Sequence, residues 1–288
     1  MEILDLADGR HLAYEVWGDP DGTPVMFQHG TGDSRLARHP DDSVMTSLGV
    51  RLITVDRPGV GQSTPKPGRT LLDWAYDAQA LVDTLGLETF VVAGWSGGAP
   101  HALAIAHVLG DRVSAVVLAS ALTPFDQPGT RDMVLNRDLR NIWRLNHLKM
   151  LARAVGRYES RKAEKDLSAF VDHIYHDAPA DFPVLTDPQL RPMFEEEMGQ
   201  ALAQGGVGVL DDMWAFLDWG FRPEDVTQHV ELFHGEQDDI LSLDMGRTLA
   251  ARLPDCSFHL LDGGHYTVFA HWREFLAPAS RDRVAGSV

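Results

Sequence analysis

The chain has 288 residues, of which 44% are hydrophobic and 23% charged, and these proportions exclude a disordered chain. Its 25 Lys and Arg against 42 Asp and Glu give a net charge of −17, which argues against nucleic acid as a partner because phosphates would be repelled. We find neither a basic leader segment nor an apolar stretch long enough to span a bilayer, so we expect a soluble, cytoplasmic protein with no membrane partner. Cys256 is the single cysteine, which excludes an internal disulfide and agrees with a reducing compartment.

Strand and helix signals alternate through the first 120 residues. Residues 3–18 have the pattern of a hairpin that turns at Asp8 and Gly9. The later signals predict buried strands at residues 24–30, 50–59, 88–94 and 113–120, and helices at residues 71–86 and 99–110. This order predicts an α/β fold with a mostly parallel central sheet and helices on both faces.

The pattern changes after the strand signal at 113–120. Residues 124–223 have helical apolar spacing in one segment after another, with no strand signal between them. Strand signals return at residues 229–235 and 257–263, separated by a helical segment. We therefore expect one α/β core, residues 1–123 and 224–288, interrupted by a helical cap, residues 124–223.

Ser96 stands in the segment Gly94-Trp95-Ser96-Gly97-Gly98, where a strand signal passes directly into a helix signal. Such a turn is tight, and glycines on both sides of the serine allow neighbouring backbone to approach closely. It would leave the hydroxyl exposed at the carboxyl edge of the sheet, beside the N–H of Gly97 and the positive end of the helix. The five residues alone fit either a nucleophile or an ordinary glycine-rich connection.

A serine nucleophile needs a base and a group that orients the base. His265 follows the last strand signal through a Gly-Gly loop, and Asp238 follows the strand at 229–235. Both residues are therefore expected at the edge where Ser96 emerges. The chain order Ser, Asp, His is the order expected when a nucleophile elbow lies in an α/β-hydrolase sheet. The turn after the strand at 24–30 can also bring the Thr31 N–H to this edge, which with Gly97 would form an oxyanion hole.

The chain resembles the α/β-hydrolase-fold serine hydrolases, the broad group that holds carboxylesterases, proline iminopeptidases and carbon–carbon bond hydrolases. The motifs that carry the resemblance occur in that group's order: HGTG at 29–32, DRPGVGQS at 56–63, GWSGG at 94–98, HGEQDD at 234–239 and GGH at 263–265. The resemblance implies Ser96 as nucleophile, His265 as base, Asp238 as acid, and the N–H groups of Thr31 and Gly97 as oxyanion hole. It is weakest over the cap, which in this fold forms much of the substrate pocket.

Two choices among neighbouring residues stay open. Asp239 adjoins Asp238, and Asp126 follows the strand at 113–120, where some members of the group place the acid; the HGxxD spacing favours Asp238. A second question concerns the charged residues just after the HGTG turn. These residues are Asp33, Arg35 and Arg38. They could either touch the substrate or form a loop of solvated ion pairs.

We expect cleavage of a small to medium, moderately apolar carboxylic ester through an acyl-enzyme, with no metal or organic cofactor. Trp95 and Trp214 are candidate substrate contacts, and a homodimer is left open. His173 and His176 are three residues apart but lack the further ligands of a zinc site. The alternatives are an aminopeptidase, for which the run Glu195–Glu197 could bind the substrate ammonium, a carbon–carbon bond hydrolase on the same triad, and a non-catalytic ligand-binding protein on the same fold.

Overall fold

The protein is built around an eight-stranded sheet. A computed structural model describes residues 1–144, 146–176 and 178–285. In the sheet the strands follow the order β1-β2-β4-β3-β5-β6-β7-β8, with β1, β2 and β4 paired antiparallel and all later pairs parallel. The strands are β1 (Glu2–Asp5), β2 (His11–Gly18), β3 (Thr23–Gln28), β4 (Val50–Val55), β5 (Phe90–Trp95), β6 (Val113–Ala119), β7 (Val230–Gly235) and β8 (Cys256–Leu261).

Helices cover both faces of this sheet, as the sequence predicted. One face carries α1 (Asp42–Leu48) and α12 (Trp272–Ala285), and the other carries α2 (Leu71–Thr84), α3 (Gly98–Leu109) and α10 (Leu243–Arg252). Each face therefore has its own apolar core. The central strand β5 is buried along its whole length and alternates between them: Phe90 and Val92 face one core, Val91 and Ala93 the other.

Local signals explain where these helices begin. Thr70 and Asp73 cap α2 reciprocally, because each side chain accepts the backbone N–H of the other. The short helix α1 was not among our predictions, although its signals are present. Asp41 accepts an N–H at its start, and Gly49 ends it with a left-handed φ of 63°.

Helices also fill the segment between β6 and β7. They pack on one another, and they are α4 (Arg137–Arg144), α5 (Lys149–Lys165), α6 (Leu167–Tyr175), α7 (Phe182–Leu185), α8 (Arg191–Leu202) and α9 (Val207–Ala215). A four-residue helix, α11 (Thr267–Ala270), precedes α12. Across the described ranges, every helix is too short or too polar to cross a bilayer. Residues 286–288, the end of the predicted core segment, lie outside the described residues.

Candidate active site

Four parallel strands deliver the predicted site residues to one edge of the sheet. β3, β5, β7 and β8 run in the same direction, so their carboxyl ends meet there. Thr31 follows β3, Ser96 follows β5, Asp238 follows β7 and His265 follows β8. The topology therefore gathers side chains that are up to 234 residues apart in sequence, from Thr31 to His265.

Ser96 occupies a strained turn between β5 and α3. Its φ is +53°, a left-handed conformation that residues with a Cβ rarely adopt. Glycines make this tight turn possible. A Cβ on Gly94 would lie 2.8 Å from the Gly98 carbonyl oxygen, and a Cβ on Gly98 would collide with the carbonyl oxygen of Gln28. Its shape is that of a nucleophile elbow, which projects the Ser96 hydroxyl from the sheet edge.

Ser96, His265 and Asp238 form a continuous chain of hydrogen bonds. Nε2 of His265 lies 2.8 Å from Oγ of Ser96, and Nδ1 of the same ring lies 2.8 Å from Oδ2 of Asp238. The other oxygen of Asp238 accepts the backbone N–H groups of Ile240 and Leu241, at 3.0 and 2.8 Å. The carboxylate is thereby fixed with one oxygen directed at the imidazole.

The charges in this chain reinforce each other. Burial by itself lowers the pKa of His265, but the charge and hydrogen bond of Asp238, with the charges of Asp181 and Asp33, outweigh burial, so the net pKa lies above its ordinary value of 6.5. Burial raises the pKa of the Asp238 carboxyl, but the charge and hydrogen bond of His265, with smaller contributions from His234 and the Leu241 N–H, hold the pKa below its usual range. The pair is suited to accept a proton on the ring while the carboxylate stays ionised.

The rival acids lie elsewhere. Asp126 forms an exposed ion pair with Arg252 at 2.7 Å, away from the imidazole. Asp239 is half-buried beside Asp238, and its carboxylate accepts the backbone N–H of Ala180 instead of an imidazole proton. Of the three candidate acids, Asp238 is therefore the one that contacts the His265 imidazole.

Thr31 and Gly97 lie in contact with each other next to Ser96. The side chain of Thr31 occupies the space that a Cβ on Gly97 would need. Thr31 and Ser96 both line the cavity described below, and Gly97 immediately precedes α3. The structure therefore brings both predicted residues beside Ser96.

A cavity of about 280 Å³ opens onto Ser96. Most of its wall is apolar, and Asn136 and His173 add polar groups. The apolar and aromatic lining residues come both from the strand ends and from residues 124–223, and they include Trp95, Leu122, Leu139, Trp143, Met213, Ile240, Leu241 and Tyr266. Trp95 was a predicted contact. Trp214, the other one, is not among the described lining residues; it packs under the ammonium group of Lys149, 4.8 Å from the ring centroid. Helical spacing could not tell which of the cap tryptophans faces inward, and Trp143 does.

The two arginines after the HGTG turn form ion pairs, and neither they nor Asp33 is among the described lining residues of the cavity. Arg35 pairs with Glu15 and Asp56 at 2.9 and 2.8 Å, and Arg38 pairs with Asp42 at 2.9 Å. Asp33 turns inward and is buried. The ion-pair interpretation of this loop therefore agrees with the structure better than substrate contact.

A buried carboxyl pair joins the cap to the turn that carries Thr31. Asp33 and Glu197 of α8 are in side-chain contact, and Glu197 also accepts the backbone N–H of Ser34 at 3.1 Å. Burial raises the pKa of Asp33 to about 7 and, with repulsion from Asp33, raises that of Glu197 well above its usual range. The pair therefore retains a proton near neutral pH, and Glu197 is not directed into the cavity.

A second buried carboxylate of the cap, Asp212 of α9, reaches the core side of the same turn. It pairs with Arg57 at 2.9 Å, with Arg69, and with the ring of His101 at 3.1 Å. Arg57 in turn donates to the carbonyl oxygens of His29 and Gly30, at 2.6 and 2.8 Å. These links support the turn before Thr31. The sequence analysis did not identify this role of Asp212, because the only sign of it in the sequence is an acidic residue within an apolar helical segment.

Comparison with known proteins agrees with this architecture. The sequence profile of the alpha/beta hydrolase fold family matches residues 23–271. A non-heme chloroperoxidase of Streptomyces lividans is 37% identical over 126 residues, 43% of this chain and 46% of the relative, so the chain spans about half the length of that relative. A bifunctional esterase/perhydrolase of Acinetobacter calcoaceticus is 26% identical over 88% of both chains. A thermophilic esterase from Thermogutta terrifontis superposes over 99% of both chains with a TM-score of 0.68 and 20% identity, a level that shows the fold alone.

The family match covers the strands that carry Thr31, Ser96, Asp238 and His265. The chain belongs to the alpha/beta hydrolase fold family, as the motifs in its sequence predicted.

Proposed function

We propose that the protein is a serine hydrolase that cleaves a small to medium, moderately apolar carboxylic ester. The observation that carries the proposal is the hydrogen-bond chain from Asp238 through His265 to the hydroxyl of Ser96, with 2.8 Å at each step. A hydroxyl on a strained elbow next to a basic, oriented imidazole is an activated nucleophile.

In the first step the Ser96 oxygen attacks the ester carbonyl carbon while Nε2 of His265 takes the hydroxyl proton. The negative charge passes to the carbonyl oxygen, which the N–H groups of Thr31 and Gly97 would stabilise. Collapse of this intermediate breaks the bond to the alcohol, which leaves with the proton from Nε2. Water then repeats the sequence on the acyl-enzyme and releases the acid and free Ser96. Each step moves only protons and electron pairs between the substrate, water and these side chains.

The cavity supports an ester of limited size. Its volume, about 280 Å³, is at the lower end of ligand pockets, and most of its wall is apolar. We propose that residues 124–223 act as the cap that closes it, since Leu139, Trp143 and Met213 of that segment line it opposite Ser96. A closed pocket gains ~0.8 kcal/mol for each methylene it buries and gains nothing once it is full.

The aminopeptidase alternative has less support. Binding a substrate ammonium would need an ionised carboxylate in the cavity, and none of the described lining residues is acidic. Of the glutamates considered for this role, Glu195 pairs with Arg191 at 2.8 Å, and Glu197 is buried against Asp33. The carbon–carbon bond hydrolase shares the triad and would be separated from an esterase by assay.

A fluorophosphonate probe and a panel of p-nitrophenyl esters test the proposal directly. We expect the probe to label the wild-type protein and not the Ser96→Ala variant, which loses only one oxygen atom and should keep its fold. We expect esters of roughly two to eight acyl carbons to be preferred to sixteen-carbon esters, because of the bounded cavity. Labelling and turnover that persist in Ser96→Ala would exclude this nucleophile, and a folded wild-type protein that reacts with neither would favour the non-catalytic alternative.

A further inference from the structure

A third carboxylate of the cap, Asp181, holds the loop that carries His265. Asp181 ends the short turn Pro179–Asp181 before α7, and it is fully buried. Its Oδ2 accepts the backbone N–H of His265 at 2.8 Å, and its Oδ1 accepts the N–H of Tyr266 at 2.7 Å. Both oxygens therefore accept from the peptide N–H groups on either side of the His265 Cα.

The core fixes the same loop from the opposite direction. The carbonyl oxygen of His265 accepts the indole N–H of Trp95 at 3.0 Å and the hydroxyl of Ser120 at 3.3 Å. Only the N–H side of His265 depends on the cap. Without Asp181, two buried N–H groups would lose their acceptor, and the imidazole would lose one of its two backbone anchors.

Gly264 is shaped to admit this carboxylate. A Cβ on Gly264 would lie 2.5 to 2.7 Å from the carboxyl atoms of Asp181, closer than such atoms approach. The φ of Gly264 is not in the left-handed region, so its backbone conformation would accept alanine. The glycine is required here by the close approach of Asp181.

The charge of Asp181 also acts on the imidazole. Burial raises the pKa of Asp181 to about 6, although the charge of His265 and the two N–H groups lower it, so the carboxylate form dominates at pH 7. Its negative charge adds to that of Asp238 in raising the pKa of His265. The other titratable groups that act on this region are Asp33, Glu197, His234, Asp238 and Asp239.

We infer that Asp181 is a positioning residue, through which the cap fixes the orientation and basicity of His265. The inference rests on the proposed role of His265 as the base. Asp181 does not line the cavity, so it acts through the loop and not on the substrate. Closure of the cap over Ser96 is thereby linked to the geometry of the imidazole.

The test compares Asp181→Asn, Gly264→Ala and a matched control, Asp166→Asn. Asp166 is another cap carboxylate; it caps α6 by accepting the N–H of Ala169 at 3.0 Å and touches no catalytic loop. Asparagine keeps the shape of Asp181 but removes the charge, and it turns an amide NH₂ group, which cannot accept, toward one of the two backbone N–H groups. We expect kcat/KM for a short ester to fall ~10- to ~100-fold in Asp181→Asn and in Gly264→Ala, with little change in KM, and to stay near wild type in the control.

Two readouts separate positioning from a merely structural role. The acidic limb of the kcat/KM profile should move to lower pH in Asp181→Asn, because the imidazole loses a neighbouring negative charge. The two substitutions should also be less than additive when combined, since both act on one contact. Circular dichroism and thermal melts verify that each variant is folded.

The titration of His265 can be followed independently of activity by NMR of histidine-labelled protein, with His265→Ala identifying its signal. A lower His265 pKa in Asp181→Asn supports the inference even if no ester is cleaved, whereas an absence of Ser96-dependent turnover would count against the proposed function alone. Wild-type kcat/KM together with an unshifted His265 pKa in folded Asp181→Asn would overturn the inference.

Discussion

Substitution of Asp212 by asparagine should be among the most destabilising single changes in this protein. The Asp212 side chain is 1% exposed, and its three partners Arg57, Arg69 and His101 are at most 1% exposed. Burial lowers the pKa of His101 to about 4, so that ring is neutral, and Asp212 is the carboxylate paired directly with both buried guanidinium groups. Asparagine would keep one acceptor oxygen and remove the directly paired charge from both cations.

The expected cost follows from the burial of the cluster. Removing one partner of a buried ion pair typically costs ~3–5 kcal/mol, because the other charge remains desolvated. At ~2–4 °C for each kcal/mol in a domain of about this size, the melting temperature should fall by ~6–20 °C. Arg57 also donates to the carbonyls of His29 and Gly30, so ester turnover should fall together with stability.

Thermal and urea unfolding measure this cost, and the neighbouring residue supplies the control. Asp211 is also buried, but its ion-pair partner Arg153 is 32% exposed and can be solvated when the pair is broken. Asp211→Asn should therefore cost ~1 kcal/mol or less. Equal losses in the two variants, or a loss under ~1 kcal/mol in Asp212→Asn, would refute the electrostatic account of the cluster.

Three further predictions concern the site and its carboxyl groups. Asp238→Asn should lower kcat by ~10³- to ~10⁴-fold, and Asp239→Asn far less, since of these two carboxylates only Asp238 contacts the His265 imidazole. Steady-state kinetics that showed the reverse ranking would transfer the role to Asp239. The kcat/KM for an ester should rise with pH through a transition above 6.5, because His265 must be neutral to accept a proton and its pKa is raised. A flat profile from pH 5 to 9 would exclude a histidine base. Asp33 and Glu197 have raised pKa values in the fold, so their contribution to stability is complete at low pH, below the unfolded values, and is lost as pH rises, in the case of Asp33 through about 7. In urea titrations, the free energy of unfolding of the wild type should be lower at pH 8 than at pH 5, and Glu197→Gln should make this difference smaller. The same difference in Glu197→Gln as in the wild type would count against a shared proton.

The sequence was sufficient for the sheet and for the strand-end residues because both depend on local patterns. Apolar runs of β-branched residues predicted the parallel strands, and once their carboxyl ends share an edge, the residues after them must meet. Ser96, Asp238 and His265 are brought together in this way. The helix α1 was missed, although Asp41 and Gly49 mark its ends, because it is a single short stretch with little apolar periodicity.

The cap was harder to predict because its contacts are set by packing between distant segments. Trp143 and Trp214 have equivalent local signals, yet one lines the cavity and the other lies beneath Lys149. In sequence, the run Glu195–Glu197 has the pattern of a solvated helix surface. Of the three glutamates only Glu197 is buried, because of the way in which α8 packs. Periodicity locates a helix but does not fix which neighbour covers each face.

The buried carboxylates of the cap bear on how the cavity could open. Asp181, Glu197 and Asp212 each accept hydrogen bonds from groups of the core, and all three are buried. Lifting the whole cap would separate these contacts together and would leave backbone N–H groups and the Arg57 guanidinium without their partners, at a cost of ~1–3 kcal/mol or more for each group that stays buried. The energetics therefore disfavour rigid-body opening of the cap as the way in which substrate reaches Ser96.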